Sequence, residues 1–73
     1  MEELRKILQE MYPDIDFDME KNLYDDGRID SVDVVTIIAN IEETFDVSVT
    51  MEYIQPSYFQ SIDTMWEMIE ELI

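Results

Sequence analysis

Cysteine and histidine are both absent from this sequence of 73 residues. Without cysteine the chain can form no disulfide, and it shows no recognisable metal site, so neither device stabilises a small core. A chain this short buries only roughly 60% of its unfolded surface. Helix packing must therefore supply the stability, and we predict one domain over residues 1–73. The absence of cysteine also suits a reducing compartment.

Basic residues and long apolar runs are scarce as well. The chain has 4 basic and 19 acidic residues, for a formal net charge of -15. Phosphate groups need cations opposite them, so this charge argues against direct nucleic-acid binding and favours partners with basic surfaces. No apolar run is long enough to span a membrane, and the start Met-Glu-Glu lacks the basic region of a signal peptide. We therefore expect a cytoplasmic protein with no membrane span.

Apolar residues recur at helical spacing near both ends of the chain. Pro13 cannot continue a helix, so the first helix is predicted to end near Tyr12, with an inward stripe of Leu4, Ile7, Leu8 and Met11. Ser61 can cap the last helix, whose inward stripe is Ile62, Met65, Trp66, Ile69 and Leu72 or Ile73. A single short helical turn is predicted from Met51 to Ile54.

The middle of the chain gives conflicting signals. Residues 32–38, VDVVTII, are rich in β-branched side chains, which favour a strand. Over a longer window the periodicity is helical, with the stripe Val34, Ile37, Ile38, Ile41 and Phe45. We predict a helix, started by a cap at Asp30 or Ser31. The predicted fold class is therefore all-α: a small four-helix bundle of three main helices and one short helix, with a long loop between helices one and two.

That loop, residues 13–30, carries apolar residues without any period. We expect some of them to anchor it to the core: Ile15, Phe17, Met19, Leu23, Tyr24 and Ile29. Loops longer than about 12 to 15 residues are often functional. Its acids Asp14, Asp16 and Asp18 have the spacing of the first, third and fifth EF-hand positions, but Met19 stands where that loop needs glycine and Asp25 where it needs glutamate. We predict no metal site.

The stretch GRIDSVDVVTII places Ser31 between two aspartates at the start of helix two. A nucleophilic serine needs an adjacent base, yet the chain has no histidine, and Asp30 and Asp33 would repel a developing oxyanion. We predict that the chain is not an enzyme. Ser31 could simply cap the helix, but its hydroxyl is expected at an exposed helix end. The helix also has surplus apolar residues beside acidic ones, which indicates a docking surface of Val32, Val35 and Ala39 rimmed by Asp33, Glu42 and Glu43.

These residues resemble the acyl and peptidyl carrier proteins. The stretch DSVD, Asp30 to Asp33, is similar to their Asp-Ser-Leu-(Asp/Glu) signature, and IEETFDV, Ile41 to Val47, is similar to their Leu-Glu-Glu-Glu-Phe stretch. The resemblance covers nearly the whole chain in helix order and loop length. It implies that Ser31 receives 4′-phosphopantetheine from coenzyme A through a separate phosphopantetheinyl transferase with Mg²⁺. The thiol of this arm would then carry an acyl or aminoacyl group as a thioester.

The same resemblance implies the partners and their contacts. They would be the transferase, an acyl- or aminoacyl-loading ligase, and synthase or transferase enzymes with basic docking patches, all meeting a monomeric carrier. The implied contact residues on helix two are Asp30, Val32, Asp33, Val35, Ala39, Glu42 and Glu43. A long acyl chain would enter the core beside Ile37, Ile41, Phe45, Val49 and Ile54. These five residues could equally form an ordinary core.

Departures from the family pattern leave the cargo open. Thr36 and Thr44 stand where many fatty-acid carriers have glutamate. The stretch MEYIQPSYFQSI is longer than the matching part of those carriers and is similar to the D-alanyl carrier proteins of cell-envelope polymer modification, although these have a glycine where this chain has Asp33. We predict a free-standing carrier of acyl or aminoacyl groups. The alternative from another class is an acidic interaction protein that mimics nucleic acid.

Overall fold

The computed structural model describes residues 2–73, and these form helices and loops without any strand. The α-helices are α1 (Glu2–Met11), α2 (Ser31–Phe45) and α3 (Ile62–Leu72). Two short 3₁₀ helices, Met51–Tyr53 and Pro56–Phe59, lie between α2 and α3. The all-α prediction is confirmed. The four-helix bundle is not, because the predicted fourth helix is a single 3₁₀ turn and a second such turn, absent from the prediction, follows it.

Local signals explain where each helix begins or ends. The α1 helix ends at Met11, ahead of Pro13, within one residue of the predicted end. The α2 helix ends at Phe45, because the next residue, Asp46, adopts the left-handed conformation with a φ of 54° and turns the chain out of the helix. The predicted cap of α3 is confirmed, since the Ser61 hydroxyl accepts a hydrogen bond from the Thr64 N–H at 3.2 Å.

The core lies where α1, α2 and α3 meet. Its fully buried members include side chains from each helix and from the loop: Leu4, Leu8, Phe17, Leu23, Ile37, Ile41, Phe59, Met65, Met68 and Ile69. Four residues of the predicted α2 stripe are buried and Phe45 is half-buried. Met68 was not predicted to face inward, but it lies three residues after Met65 and shares its face. Ile73, by contrast, is 68% exposed.

The long loop before α2 is anchored to the core by some of its apolar residues, as predicted. Phe17, Leu23 and Ile29 are buried. Met19 is not one of the anchors, because its side chain is 76% exposed. The N–H of Met19 donates to the Asp16 carbonyl at 3.2 Å, which curls this segment into a turn. Residues two positions apart in such a turn point in opposite directions, so burial of Phe17 leaves Met19 in solvent.

The Gln60 side chain, at the end of the second 3₁₀ helix, binds residues 24 and 25 of this loop. The side-chain oxygen of Gln60 accepts hydrogen bonds from the N–H groups of Tyr24 and Asp25, each at 3.2 Å. The Gln60 backbone carbonyl accepts a third from the Leu23 N–H at 2.8 Å. These bonds satisfy backbone donors that no helix or strand could pair. They hold Tyr24 against the segment that leads into α3.

Within residues 2–73, three basic side chains form ion pairs with acidic ones. Arg5 pairs with Asp18 at 2.9 Å, Lys21 with Asp63 at 3.3 Å and Arg28 with Glu20 at 3.6 Å. Such exposed pairs contribute little to stability individually. Because acidic residues greatly outnumber basic ones, most carboxylates keep an unneutralised charge. Within residues 2–73, no helix is both long and apolar enough to cross a membrane.

Candidate functional site: the first turn of α2

The first turn of α2 is capped by two aspartates that bond to each other's backbone. Asp30 has extended backbone geometry, and its carboxylate accepts hydrogen bonds from the N–H groups of Val32 and Asp33, each at 3.0 Å. In return, the Asp33 carboxylate accepts from the Asp30 N–H at 3.1 Å. This reciprocal pairing is a capping box. Of the two predicted caps, the structure therefore selects Asp30.

The Ser31 hydroxyl is left free by this arrangement. Ser31 is the first residue of α2, is exposed, and its hydroxyl makes no hydrogen bond to any residue in the range 2–73. An interpretation of Ser31 as merely the cap is excluded, since Asp30 already fills that role. The partial positive charge of a helix N-terminus favours an anion bound to this oxygen, whereas the carboxylates of Asp30 and Asp33 oppose one.

A tyrosine from the end of α1 supports the capping box. The Tyr12 hydroxyl donates a hydrogen bond to Asp33 at 2.7 Å. This bond, together with the bond from the Asp30 backbone, lowers the pKa of Asp33 despite some desolvation. Desolvation and the bond to Asp33 raise the pKa of Tyr12 well above its usual range. Sequence reasoning did not find Tyr12, because nothing local connects residues 21 positions apart.

The apolar residues of the predicted docking surface on α2 are exposed, but two of the acidic residues around them accept hydrogen bonds from other parts of the chain. Val32 is 71% and Val35 65% exposed, and Ala39 is exposed as well. Glu43 also faces solvent. Glu42 is half-buried instead, because its carboxylate accepts a hydrogen bond from the Val49 N–H at 2.8 Å. One of its oxygens therefore orders the loop after α2 rather than facing outward. Asp33 is similarly committed to the capping box and Tyr12.

A groove opens directly beside Ser31. Its volume is about 220 Å³, and it is lined by Tyr24, Ser31, Val34, Val35, Ile54, Gln55 and Pro56. The five residues predicted to meet an acyl chain lie in different surroundings. Ile37 and Ile41 are fully buried in the core and Phe45 packs edge-on against Trp66, whereas Ile54 lines the groove and is 45% exposed. The sequence predicts only an anchoring role for Tyr24 and no role for Gln55.

Two of the three acidic residues with EF-hand spacing have partners of their own. The carboxylate of Asp18 pairs with Arg5, and Asp16 accepts a hydrogen bond from the Asp18 N–H at 3.2 Å. Among residues 2–73, no three side chains of the types that bind metals are grouped so that they could hold an ion.

The family model described as phosphopantetheine attachment site matches residues 2–57, well over half of the chain. The chain therefore belongs to this family of phosphopantetheine carriers, and its resemblance to carrier proteins is confirmed. Members of the family hold 4′-phosphopantetheine covalently on a serine. Comparison with curated proteins gave no match, and comparison with solved structures gave none either.

Proposed function

We propose that this chain is a free-standing carrier that holds acyl or aminoacyl groups as thioesters on a 4′-phosphopantetheine arm attached to Ser31. The observation that carries the proposal is the exposed, uncommitted hydroxyl at the first position of α2. It can be reached from solvent, and Asp30 and Asp33 keep the turn around it ordered. The resulting phosphodiester would lie at the favourable end of the helix dipole.

The other serines suit this role less well. Ser61 is buried, caps α3 and lies outside the residues matched by the family model. Ser48 lies in irregular chain after α2, and Ser57 lies in a 3₁₀ helix of four residues. Ser31 alone begins a long α-helix, where successive free N–H groups create a local positive potential.

The proposed role is that of a shuttle rather than a catalyst. The chain has no histidine, and its bases near Ser31 are two carboxylates already engaged in hydrogen bonds. A separate phosphopantetheinyl transferase would therefore activate the hydroxyl. The thiol at the end of the arm would supply the reactive sulfur that this cysteine-free chain lacks. When bound, the cofactor provides thioester chemistry, and the protein provides attachment, presentation and docking.

Partner enzymes would dock on the first three turns of α2. Val32, Val35 and Ala39 offer exposed apolar contact area. Around them Asp30 and Glu43 are exposed, with Asp33 and Glu42 contributing charge from half-buried positions. The proposed partners are the transferase, an acyl- or aminoacyl-loading ligase, and synthase or transferase enzymes with basic patches. Complementary charge gives fast, salt-sensitive and weak docking, which suits a carrier that must leave each enzyme.

The nature of the cargo has two candidates. They are an acyl group and an aminoacyl group, the latter as in a D-alanyl carrier. The aminoacyl candidate is supported by the long stretch before α3, which contains the two 3₁₀ helices Met51–Tyr53 and Pro56–Phe59. The rival function of another class, an acidic interaction protein, would use the net charge of -15 and would need no modification of Ser31.

Intact mass tests the proposal. The protein is incubated with coenzyme A, Mg²⁺ and a phosphopantetheinyl transferase of broad specificity, beside Ser31→Ala and the matched control Ser57→Ala. Ser57 is exposed and lies within the matched residues. We expect one added phosphopantetheine on the wild type and on Ser57→Ala, and none on Ser31→Ala. A gain on Ser31→Ala would contradict the attachment site. No gain with two different transferases would favour the acidic interaction protein.

A further inference from the structure

Both oxygens of the Asp33 carboxylate accept hydrogen bonds, one from within the first turn of α2 and one from outside it. The Asp30 N–H donates to Oδ2 at 3.1 Å, and the Tyr12 hydroxyl donates to Oδ1 at 2.7 Å. The second bond has the short length typical of an O–H donor on an ionised carboxylate, which makes it a strong one. A donor from another part of the chain therefore sets the orientation of a charge only two residues from Ser31.

The orientation of Asp33 matters to Ser31 because of that charge. Side chains two positions apart in an α-helix are separated by about 200° around its axis. The exposed Ser31 hydroxyl, which bonds to no residue in the range 2–73, therefore lies on one side of α2, while the Asp33 carboxylate is bonded to Tyr12 on the other. Without Tyr12 the carboxylate keeps only its bond from the Asp30 N–H and is freer to rotate toward Ser31. Its negative charge would there repel an anion.

Tyr12 is itself held in place by its backbone and by its ring. Its N–H donates to the Leu8 carbonyl at 2.8 Å, which continues the bonding pattern of α1, and its carbonyl accepts from the Ile15 N–H at 3.2 Å. Its ring packs edge-on against the buried ring of Phe17, with the two centroids 6.4 Å apart. Tyr12 therefore presents its hydroxyl to Asp33 from a fixed position, and this donor is in place before any partner enzyme arrives.

We propose that Tyr12 is a positioning residue for the modification of Ser31 and that it acts through Asp33. The inference rests on the proposed attachment at Ser31. In that reaction the Ser31 oxygen forms a bond to the phosphorus of coenzyme A that bears pantetheine, and the bond from this phosphorus to the oxygen bridging the two phosphates breaks. Adenosine 3′,5′-bisphosphate leaves, and the serine proton passes to a base of the transferase. A negatively charged phosphate is thus brought onto the Ser31 oxygen.

The bond between Tyr12 and Asp33 should affect this chemical step more than it affects docking. Docking uses exposed side chains such as Val32 and Val35, which the loss of one phenolic hydroxyl leaves unchanged. Repulsion from a carboxylate turned toward Ser31 is strongest when the phosphate reaches the serine oxygen, so it raises the barrier to bond formation. An interaction of this kind changes the maximal rate and leaves the concentration for half-maximal rate unchanged.

Single-turnover kinetics test the inference. A series of transferase concentrations, each in excess and saturated with coenzyme A and Mg²⁺, is used on wild type and Tyr12→Phe, at a temperature and salt concentration where circular dichroism shows every variant folded. We expect Tyr12→Phe to lower the maximal rate roughly fivefold, with an unchanged transferase concentration at half-maximal rate. Ser61→Ala is the control for lost stability, because it removes the cap of α3, away from the first turn of α2, and should keep the wild-type rate.

A double-mutant cycle shows whether Tyr12 acts through Asp33. Asp33→Asn removes the charge but keeps an oxygen that can accept hydrogen bonds. In that background we expect Tyr12→Phe to change the maximal rate less than about twofold, since no carboxylate is left to turn toward Ser31. The same loss in both backgrounds, a wild-type rate for Tyr12→Phe, or an equal loss in Ser61→Ala would each overturn the positioning role alone. Failure of the wild type to be modified at Ser31 would overturn the proposed function and this role together.

Discussion

The Tyr12 hydroxyl and the Asp33 carboxylate form a 2.7 Å hydrogen bond that joins the end of α1 to the first turn of α2. The Asp33 carboxylate also accepts a hydrogen bond from the Asp30 N–H at 3.1 Å. Asp30 in turn caps the helix that begins at Ser31. The position of the candidate attachment serine therefore depends on Tyr12, the residue that follows α1.

Removal of the phenolic hydroxyl should weaken the fold. Tyr12→Phe keeps the ring that packs edge-on against Phe17 but deletes the hydrogen bond to a charged carboxylate. We expect a loss of about 1–2 kcal/mol in the free energy of unfolding, measured by urea denaturation. Tyr58→Phe is the matched control, because the Tyr58 hydroxyl makes no hydrogen bond within residues 2–73. Equal losses in the two variants would show that the bond to Asp33 contributes nothing.

The same bond should make the difference between wild type and Tyr12→Phe depend on pH. The pKa of Asp33 is lowered in the folded state, so its contribution is present above the ordinary aspartate pKa and is lost as pH falls through the lower folded value. The pKa of Tyr12 is raised, so its contribution is complete below the ordinary tyrosine pKa of about 10 and declines as pH rises above it. Melting temperatures measured from acid to alkaline pH should therefore differ most near neutrality. A constant difference would contradict this linkage.

Charge reversal on the exposed rim of α2 should slow modification. We expect Glu43→Lys to reduce the initial rate of phosphopantetheine transfer roughly threefold to tenfold at low salt, with unchanged helical content by circular dichroism. Glu70→Lys, an exposed position on α3, makes the same change in net charge away from Ser31 and should have little effect. If both variants slow transfer equally, the overall charge and not the α2 surface steers docking.

Glu42→Lys should behave differently from Glu43→Lys. It removes the carboxylate that accepts the Val49 N–H at 2.8 Å, so it should lower the free energy of unfolding as well as the rate of transfer. We expect a loss of about 1–2 kcal/mol by urea denaturation for Glu42→Lys and less than about 0.5 kcal/mol for Glu43→Lys. Equal stabilities would mean that the Val49 N–H finds water or another partner at no cost.

Added salt should stabilise the protein. With a net charge of -15, repulsion between carboxylates opposes folding, and ions screen it. Relief of about 1 kcal/mol would raise the melting temperature by roughly 4–8 °C in a domain of this size. The double variant Glu43→Lys with Glu70→Lys has less charge to screen and should respond less. A melting temperature independent of salt in the wild type would show that repulsion is unimportant.

The helices and the candidate serine could be predicted from the sequence because their signals are local. The β-branched run at 32–38 favoured a strand, yet the stripe from Val34 to Phe45 correctly predicted α2. Periodicity prevailed because burial of a whole helical face outweighs small differences in intrinsic propensity. The Ser61 cap and the motif around Ser31 likewise involve residues within one helical turn of each other.

Contacts between distant residues were decided by the tertiary structure alone. The sequence does not show that Tyr12 reaches Asp33, that Gln60 holds Tyr24, or which of Asp30 and Ser31 caps α2. Nor does it show that Met19 faces solvent, or that Ile54 lies outside the core and lines a groove beside Ser31. The spacing of side chains within a helix follows from its fixed geometry, whereas a contact across a loop exists only after the helices have packed.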